Sequence, residues 1–281
     1  MENTTRTAYG ANFQTSLILQ KPVQLLENTT LNQKHNIQNG SLFADTDKPG
    51  LFYVGCGNGG HIFKTGATGI PYPEPIPHSP RHAGLYNQLP WVIRTLDNDL
   101  DLGSLANYRL RKLETINGVQ YAAYYLKRLD LTLSDPALQY MIVTDTNTQS
   151  QPFVPTLDDL NPSIDPLFYQ GQNTTTGDYI RSTAQVNFSL TAGDVAELIN
   201  VSNVKYGDDS YSIISELAFC TGADRTVTGT VNGSTVPYLE AIGVQICHFS
   251  IAYISLKHST NGVEFVFDLG NVEPLFILNP T

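Results

Sequence analysis

The chain has 281 residues and a formal net charge of −10, from 16 Lys and Arg against 26 Asp and Glu. An acidic chain has no general affinity for a phosphate backbone, so we expect no direct binding of nucleic acid. Charged residues make up only 15% of the sequence, which favours a neutral polar surface that packs against copies of the chain or against other proteins.

The first 82 residues contain two unusual segments. Residues 1–49 are rich in Asn, Gln and Thr, which predicts an extended N-terminal arm ordered by contact with the rest of the chain or with a neighbour. A short buried strand, LFYVG, follows at 51–55. Residues 70–82 then carry prolines at 71, 73, 75, 77 and 80. Because proline fixes φ and removes a backbone donor, we expect an extended proline-rich strap without sheet pairing.

The clearest local signal is a β-hairpin. YRLRKLETI and VQYAAYYLKRLDLTL flank Asn117-Gly118, and Asn-Gly between β-prone runs is typical of a type I′ turn. This turn would place Ile116 opposite Val119, Glu114 opposite Tyr121, and Arg111 opposite Tyr124.

A loop, a strand and a helix are predicted next. Residues 145–178, rich in Asp, Asn, Pro, Thr and Gln, indicate a long loop insertion, and IRSTAQVNFSL after them indicates a strand. Thr191 followed by Asp194 resembles a capping pattern, and Val195 and Leu198 have helical spacing. We expect a helix that starts at Thr191 and ends before Gly207.

The C-terminal block from Tyr206 to Ile277 is dense, apolar and almost uncharged. We predict strands here, with turns at Gly222, Asn232-Gly233 and Asn261-Gly262. The run from Leu239 to Leu256 has apolar residues at both odd and even positions. Its periodicity therefore leaves open two interpretations, a strand buried on both faces or a partly helical segment.

These elements predict a β-dominated α+β fold. We expect one body over residues 50–281, built of antiparallel, sandwich-like sheets with few short helices, and preceded by the arm at 1–49.

Two motifs resemble ligand sites without completing them. Gly55-Cys56-Gly57-Asn58-Gly59-Gly60 fits the dinucleotide fingerprint, but the glycines and prolines after it exclude the helix that the fingerprint needs. Asp97–Gly103 resembles the start of a calcium loop, yet Leu102 and Tyr108 stand where glycine and a bidentate Glu are required.

The remaining histidines and carboxylates do not form a complete metal-binding or catalytic set either. His78 and His82 lie in the proline-rich strap and so share no helix face for a metal. Carboxylates for sugar hydrolysis could come from Asp158, Asp159, Asp165 or Glu216, but nothing selects a pair. We therefore expect no enzyme activity, no cofactor and no metal.

The basic residues cluster in the predicted hairpin. They are Arg109, Arg111, Lys112, Lys127 and Arg128. They form either an ion-paired or solvated face, or an interface that docks an acidic neighbour such as another copy of the chain.

The cysteines and the N-terminus indicate where the protein matures. Three cysteines without short spacing argue against a disulfide framework and for a reducing cytoplasm. The first 20 residues lack the charged and apolar regions of a signal peptide. The longest apolar run is broken by Gln245, His248 and Ser250, so we expect no membrane span.

The C-terminal block also carries a resemblance. LINVSNVKYGDDSYSIISELAFCTGADR, YLEAIGVQICHFSIAYISL and VEFVFDLGNVEPLFI, together with GLFYVGCGN near residue 50, resemble structural proteins of tailed-bacteriophage virions. The resemblance implies a non-enzymatic subunit assembled in the host bacterial cytoplasm and located in the virion. Its partners would be copies of itself in a symmetric oligomer and other virion proteins. We favour a ring-forming component of the neck or tail, because in a symmetric ring each subunit uses the same surface for its contacts.

Three alternatives stay open. Within the same class, the chain could belong to the capsid surface or the baseplate. A glycan-degrading tail protein would need two carboxylates in a cleft. A receptor-binding or glycan-binding tail protein would need exposed rings, for which Tyr121, Tyr124 and Tyr125 are the candidates.

Overall fold

A computed structural model of the chain describes residues 3–19, 21–23, 25–38, 43–144, 147–155, 160, 178–257 and 263–274. These residues form two compact units instead of the single body predicted for 50–281. The first unit comprises residues 1–129 and 190–263, and the second comprises 130–189 and 264–281. The division arises because strands of the second segment pair with one another and with the C-terminal strand.

Strands dominate the secondary structure and short helices are few, so the predicted β-dominated α+β class is confirmed. The helices are α1 (Ala8–Ile18), α2 (Leu31–His35), α3 (Leu102–Leu105) and α4 (Ala192–Tyr206). The strands are β1 (Asn3–Arg6), β2 (Gly50–Gly57), β3 (His61–Thr65), β4 (Pro71–Pro75), β5 (Gln88–Leu89), β6 (Val92–Thr95), β7 (Tyr108–Ile116), β8 (Val119–Arg128), β9 (Ala137–Thr144), β10 (Asn147–Pro152), β11 (Tyr179–Thr183), β12 (Gln185–Leu190), β13 (Ile213–Val231), β14 (Ser234–Ser255), β15 (Val263–Asp268) and β16 (Asn271–Pro274).

The first unit is built on an eight-stranded antiparallel sheet. Its path runs β1-β14-β13-β2-β8-β6, with β5 paired to β2 and β7 paired to β8. The two longest strands, β13 and β14, are joined by Asn232-Gly233, which has positive φ at both residues as predicted. The run from Leu239 to Leu256 lies mostly in β14, and its middle is buried on both faces. Burial on both sides explains why its apolar residues show no alternation.

The predicted hairpin is confirmed in detail. Asn117 and Gly118 have φ of 50° and 79°, the left-handed values that a type I′ turn requires. The register pairs Ile116 with Val119, Glu114 with Tyr121, and Arg111 with Tyr124. The turn chemistry alone therefore set the facing residues of β7 and β8.

The turn predicted at Gly222 is wrong. Gly222 lies inside β13, where the register with β14 shifts between Thr221 and Ala223. A Cβ at this position would lie 3.0 Å from the Ile242 carbonyl oxygen and 3.0 Å from the Tyr53 ring. The glycine thus marks a bulge and a close approach between strands. The turn predicted at Asn261-Gly262 lies outside the described residues.

The N-terminal segment predicted as an extended arm contains regular structure and returns to its own chain. Strand β1 pairs with β14, and α1 begins at a Thr7 cap. In α2, the buried Asn32 side chain donates to the Ala241 carbonyl and accepts from the Val244 backbone N–H. The described part of 1–49 is therefore ordered by contact with its own sheet, because its polar side chains satisfy the backbone of β14.

The proline-rich strap is extended, but the prediction that it lacks sheet pairing is wrong for residues 71–75. Strand β4 pairs with β3 in antiparallel register, with Pro73 opposite Phe63. Backbone bonds from Ile76 to Gly60 and from Gly66 to Ile70 place the prolines at the positions that make no hydrogen bond to β3. The alternate spacing of the prolines makes the pairing possible.

The predicted helix is confirmed as α4. Thr191 and Asp194 form a reciprocal capping box, and Gly207 ends the helix with φ of 72°. Val195, Leu198 and Val201 are buried.

The second unit contains the sheet β10-β9-β11-β16 and the pair β12-β15. The predicted strand after residue 179 is split into β11 and β12. The loop insertion predicted at 145–178 begins with β10, which pairs with β9 along Asn147–Pro152. Most of the remainder of that insertion lies outside the described residues.

We expect Gly222→Ala to lower the free energy of unfolding by about 1–2 kcal/mol, because the new methyl group meets a strand carbonyl. Gly193→Ala in α4 is the matched control, since its Cβ meets only the Thr191 hydroxyl at 3.5 Å. Replacing a helical glycine should stabilise the protein by roughly 0.5 kcal/mol. Urea unfolding of both variants tests the pair, and equal effects would contradict the close approach at Gly222.

Acid should destabilise the fold through His35. Its Nε2 lies 3.0 Å from Gln88 Oε1, and burial lowers the pKa of its imidazole from 6.5 to about 4. Between these values the unfolded chain binds more protons, so stability falls as the pH falls. We expect a loss of about 2 kcal/mol between pH 6.5 and 4.5, and a smaller loss in His35→Phe. Identical pH profiles of the two unfolding midpoints would contradict this assignment.

Candidate functional site

The five basic residues of the predicted interface all lie on β7 and β8, and each pairs with a carboxylate of the same chain. The pairs are Arg109–Asp224, Arg128–Asp224, Arg111–Asp99, Lys112–Glu114 and Lys127–Asp194. Each of the five basic residues therefore has a carboxylate partner, as the ion-paired alternative requires. Docking of an acidic neighbour stays a prediction for Lys112 and Arg128, whose side chains are more than one-third exposed.

These pairs separate the basic residues into several local networks. Arg109 is almost fully buried, and its Nε donates to Asp224 Oδ1 at 2.6 Å. Tyr53 donates its hydroxyl to the same oxygen at 2.9 Å. Arg111 instead contacts Asp99, which also accepts the Tyr124 hydroxyl at 2.6 Å. Asp99, which belongs to the incomplete calcium-loop motif, is therefore bonded to an arginine and a tyrosine of its own chain.

Two of the tyrosines proposed for receptor binding are not available on the surface. Tyr124 and Tyr125 are buried, and Tyr125 donates to Glu114 while its ring lies 4.0 Å from that of His35. A buried ring offers no face to a ligand, so the prediction that Tyr124 and Tyr125 are exposed for receptor binding is wrong. The periodicity of β8 could not reveal this because both of its faces are covered.

The most elaborate polar cluster is centred on Glu216 of β13, whose side chain is fully buried. Its Oε2 accepts from His78 Nε2 at 2.9 Å and from the Tyr86 backbone N–H at 3.0 Å. Its Oε1 accepts from the Asn87 and Gly59 backbone N–H groups at 2.9 and 3.1 Å. We call Glu216, His78 and His82 the carboxylate–histidine relay.

The glycine-rich loop of the incomplete dinucleotide fingerprint closes over this carboxylate. A Cβ at Gly57 would lie 2.5 Å from Glu216 Oε1, and one at Gly60 would lie 2.6 Å from the Ser215 carbonyl oxygen. Gly60 also donates its N–H to the Ser215 hydroxyl at 2.9 Å. The glycines are therefore explained by the close approach of their backbone to β13.

The two histidines of the relay lie beside each other. His82 Nδ1 accepts from the Ser79 backbone N–H at 3.3 Å and lies 3.1 Å from His78 Nδ1. His78 Nε2 lies 2.9 Å from the Glu216 carboxylate. The His78 ring therefore connects His82 to Glu216.

Stacking, burial and hydrogen bonds define the surroundings of the relay. The His78 ring stacks on Phe249 with centroids 3.8 Å apart and on Tyr86 at 4.4 Å. Burial opposes ionisation of Glu216, but the hydrogen bonds from His78 and from two backbone amides leave the pKa of its carboxyl lowered. Burial and the neighbouring His78 lower the pKa of His82.

The relay therefore fastens the strap, the glycine-rich loop and β13 together. With four donors from its own chain, the Glu216 carboxylate is fully engaged in this structure. From the sequence alone, we consider His78, His82 and Glu216 separately. Because 138 residues separate His78 from Glu216, no sequence pattern indicates that they are in contact.

A second buried carboxylate has a related role. Glu240 accepts the backbone N–H groups of Leu110, at 2.5 Å, and Arg111, at 3.0 Å. Leu110 has φ of 52°, a strained value for a non-glycine residue, and its amide would otherwise lack a strand partner. Burial raises the pKa of the Glu240 carboxyl despite these bonds.

Two kinds of feature are absent from the described part of the chain. No group of three or more His, Cys, Asp or Glu residues is arranged to hold a metal ion. None of the described helices has the length and apolar character needed to cross a membrane.

We expect Glu216→Gln to lower the free energy of unfolding by about 3 kcal/mol, because one end of the amide becomes a donor that faces other donors. Glu197→Gln is the control, since its ion pair with Arg94 is partly exposed and should cost less than about 1 kcal/mol. Urea unfolding compares them. A cost for Glu216→Gln no larger than that of the control would contradict the role assigned to the relay.

Comparison with known proteins adds a family and no named relative. No curated protein and no solved structure matches the chain. A family model described as "Family of unknown function (DUF7208)" matches residues 1–281. The match covers the whole sequence, and the chain therefore belongs to this family of unknown function.

Proposed function

We propose that the chain is a non-enzymatic structural subunit that assembles with copies of itself and with other proteins of a tailed-bacteriophage virion. A ring in the neck or tail is the arrangement we favour, with the capsid surface or the baseplate as the nearest alternative. The observation that carries the proposal is an exposed apolar face on the hairpin β3–β4.

The hairpin has two distinct faces because opposite residues of paired strands project to the same side. Ile62 and Tyr72 lie on one side, and Ile70 at the turn continues their alternation. These three side chains are 45%, 47% and 67% exposed. We call this surface the docking face. Large apolar side chains grouped in this way are typical of protein interfaces.

The edge of the hairpin favours contact through side chains over strand addition. The prolines of β4 occupy the positions whose N–H groups would point away from β3. The outer edge of β4 at Pro71, Pro73 and Pro75 therefore offers no backbone donors to another strand. A partner must therefore contact the side chains of the docking face. Such an interface is defined, because strands of further copies cannot add to this edge of the sheet.

Charge on the docking face suits a copy of the same acidic chain. Lys64 and Glu74 lie on this face and pair with each other at 2.5 Å. Their mutual neutralisation means that a second docking face could cover them without burying a net charge. A basic partner would instead require acidic residues among the apolar ones.

The carboxylates support a structural role over catalysis. Glu216, the described member of the carboxylates considered for sugar hydrolysis, accepts four donors from its own chain. Asp158, Asp159 and Asp165 lie outside the described residues. Buried Asp99, Asp194 and Glu240 are each bonded within the fold as well.

The test is the oligomeric state of the purified chain by native mass spectrometry and sedimentation velocity. We expect a defined oligomer at about 10 µM, and at least tenfold weaker association in the double variant Ile62→Ser with Tyr72→Ser. Both side chains are exposed, so the variant should keep the unfolding midpoint of the wild type.

Leu133→Ser is the matched control, because Leu133 is a highly exposed apolar residue that is not part of the hairpin. It should leave association unchanged. A wild-type chain that stays monomeric at about 100 µM would overturn the proposal, and so would equal effects of the two variants.

A further inference from the structure

A groove in the first unit has the composition of a small-molecule site. Its volume is about 610 Å³, within the range of typical ligand sites. Its lining includes Asn58, His61, Phe63, Asn87, Tyr206 and Tyr211. We call it the aromatic groove.

The apolar part of the groove consists of two separate ring clusters. His61 lies edge-on to Tyr253 at 4.8 Å and to Phe63 at 5.3 Å. Tyr206, at the end of α4, lies 4.8 Å from Tyr211 in the following 3₁₀ turn. Phe63 and Tyr211 remain largely exposed, so ring surface is available to a ligand.

The polar part consists of two linked amides. Asn87 Nδ2 donates to Asn58 Oδ1 at 2.6 Å and to the Tyr206 hydroxyl at 3.0 Å. Asn58 Nδ2 donates to the Tyr211 carbonyl oxygen at 3.1 Å. Within the described residues, this leaves the Asn87 side-chain oxygen as an acceptor and the Tyr206 O–H as a donor for a ligand.

The groove carries no formal charge. None of its lining residues is acidic or a lysine or arginine. Burial lowers the pKa of His61, so this ring is neutral at physiological pH. The nearest acidic residue of the 3₁₀ turn, Asp209, pairs with Lys257 at 2.7 Å. An ionic ligand would therefore find no partner here.

The polar residues are held in place before any ligand arrives. The Asn87 backbone N–H is bonded to Glu216 Oε1, and its carbonyl accepts the Asn58 N–H at 3.1 Å. A Cβ at Gly59 would lie 2.7 Å from the Asn87 nitrogen, so the loop approaches as closely as glycine allows. The carboxylate–histidine relay thus fixes the groove, which reduces the ordering cost of binding.

We propose that the aromatic groove binds a neutral saccharide. A sugar ring presents a C–H face that packs on aromatic rings and a rim of hydroxyl groups that both donate and accept hydrogen bonds. Exposed rings beside an acceptor and a donor match this combination, and the absence of charge selects against acidic sugars. The aromatic groove and the docking face consist of different residues, so saccharide binding is independent of the proposed assembly.

The test measures binding of defined neutral oligosaccharides to the full chain. Maltohexaose, cellohexaose, laminarihexaose and chitohexaose serve as probes, with a heparin hexasaccharide as the charged comparison. Saturation-transfer difference NMR detects binding up to dissociation constants of about 10 mM. We expect at least one neutral probe to bind, with its ring C–H protons saturated most strongly, and no binding of the heparin fragment.

Tyr211→Ala should weaken binding about tenfold because it removes one exposed ring. Tyr211→Phe should retain it, since the ring supplies the contact. Tyr72→Ala is the matched control: Tyr72 is 47% exposed against 49% for Tyr211, but lies on the docking face. It should leave binding unchanged.

Each remaining outcome overturns the inference. The inference fails if no neutral probe binds, or if the heparin fragment binds more strongly than the neutral probes. It also fails if Tyr211→Ala leaves saccharide binding unaltered, or if Tyr72→Ala weakens saccharide binding as much as Tyr211→Ala does. Loss of self-association in Tyr211→Ala would make the groove a contact between copies and would likewise end the saccharide assignment. Failure of assembly alone leaves the saccharide result intact, so the two proposals fail separately.

Discussion

The buried carboxylate of Glu216 is the interaction on which the architecture of the first unit depends. It lies inside a long apolar strand, where an unpaired charge would be prohibitive, and it is satisfied by the His78 ring and three backbone amides. Those donors come from the glycine-rich loop, from the strap and from the segment before β5. Because all must be present together to satisfy one charge, these three irregular segments adopt a single arrangement against β13.

The same principle recurs across the unit. Glu240 satisfies the backbone at the strained Leu110, and Asp224 joins two arginines to Tyr53. Many of the charged residues that this chain possesses are thus used internally. This explains how an acidic protein with few charges can place carboxylates in its interior, since each is bonded by several donors. It also leaves a surface on which apolar and neutral polar groups stand out.

The hairpin β3–β4 connects the two proposals through its geometry. Alternation along the strands places Phe63 and His61 towards the aromatic groove, and Ile62 and Tyr72 on the docking face. Prolines on the outer edge remove the backbone donors that would invite another strand. A single short hairpin can therefore present one surface to a copy of the chain and another to a small ligand, without competition between them.

The sequence by itself determined the elements whose cause is local. Asn117-Gly118 fixed the register of β7 and β8, and Thr191, Asp194 and Gly207 fixed both ends of α4, because turn and cap chemistry act within a few residues. Only the tertiary structure decided the rest. The turn prediction at Gly222 is wrong because the Ile242 carbonyl that requires a glycine there is distant in the chain. The prediction of an unpaired strap is wrong for residues 71–75 because β3 supplies the pairing. The relay and the groove join residues up to 195 positions apart, from Asn58 to Tyr253, so no spacing could indicate them. Long-range contacts carry no periodic signature in the sequence, and they are what brought these polar and aromatic groups together.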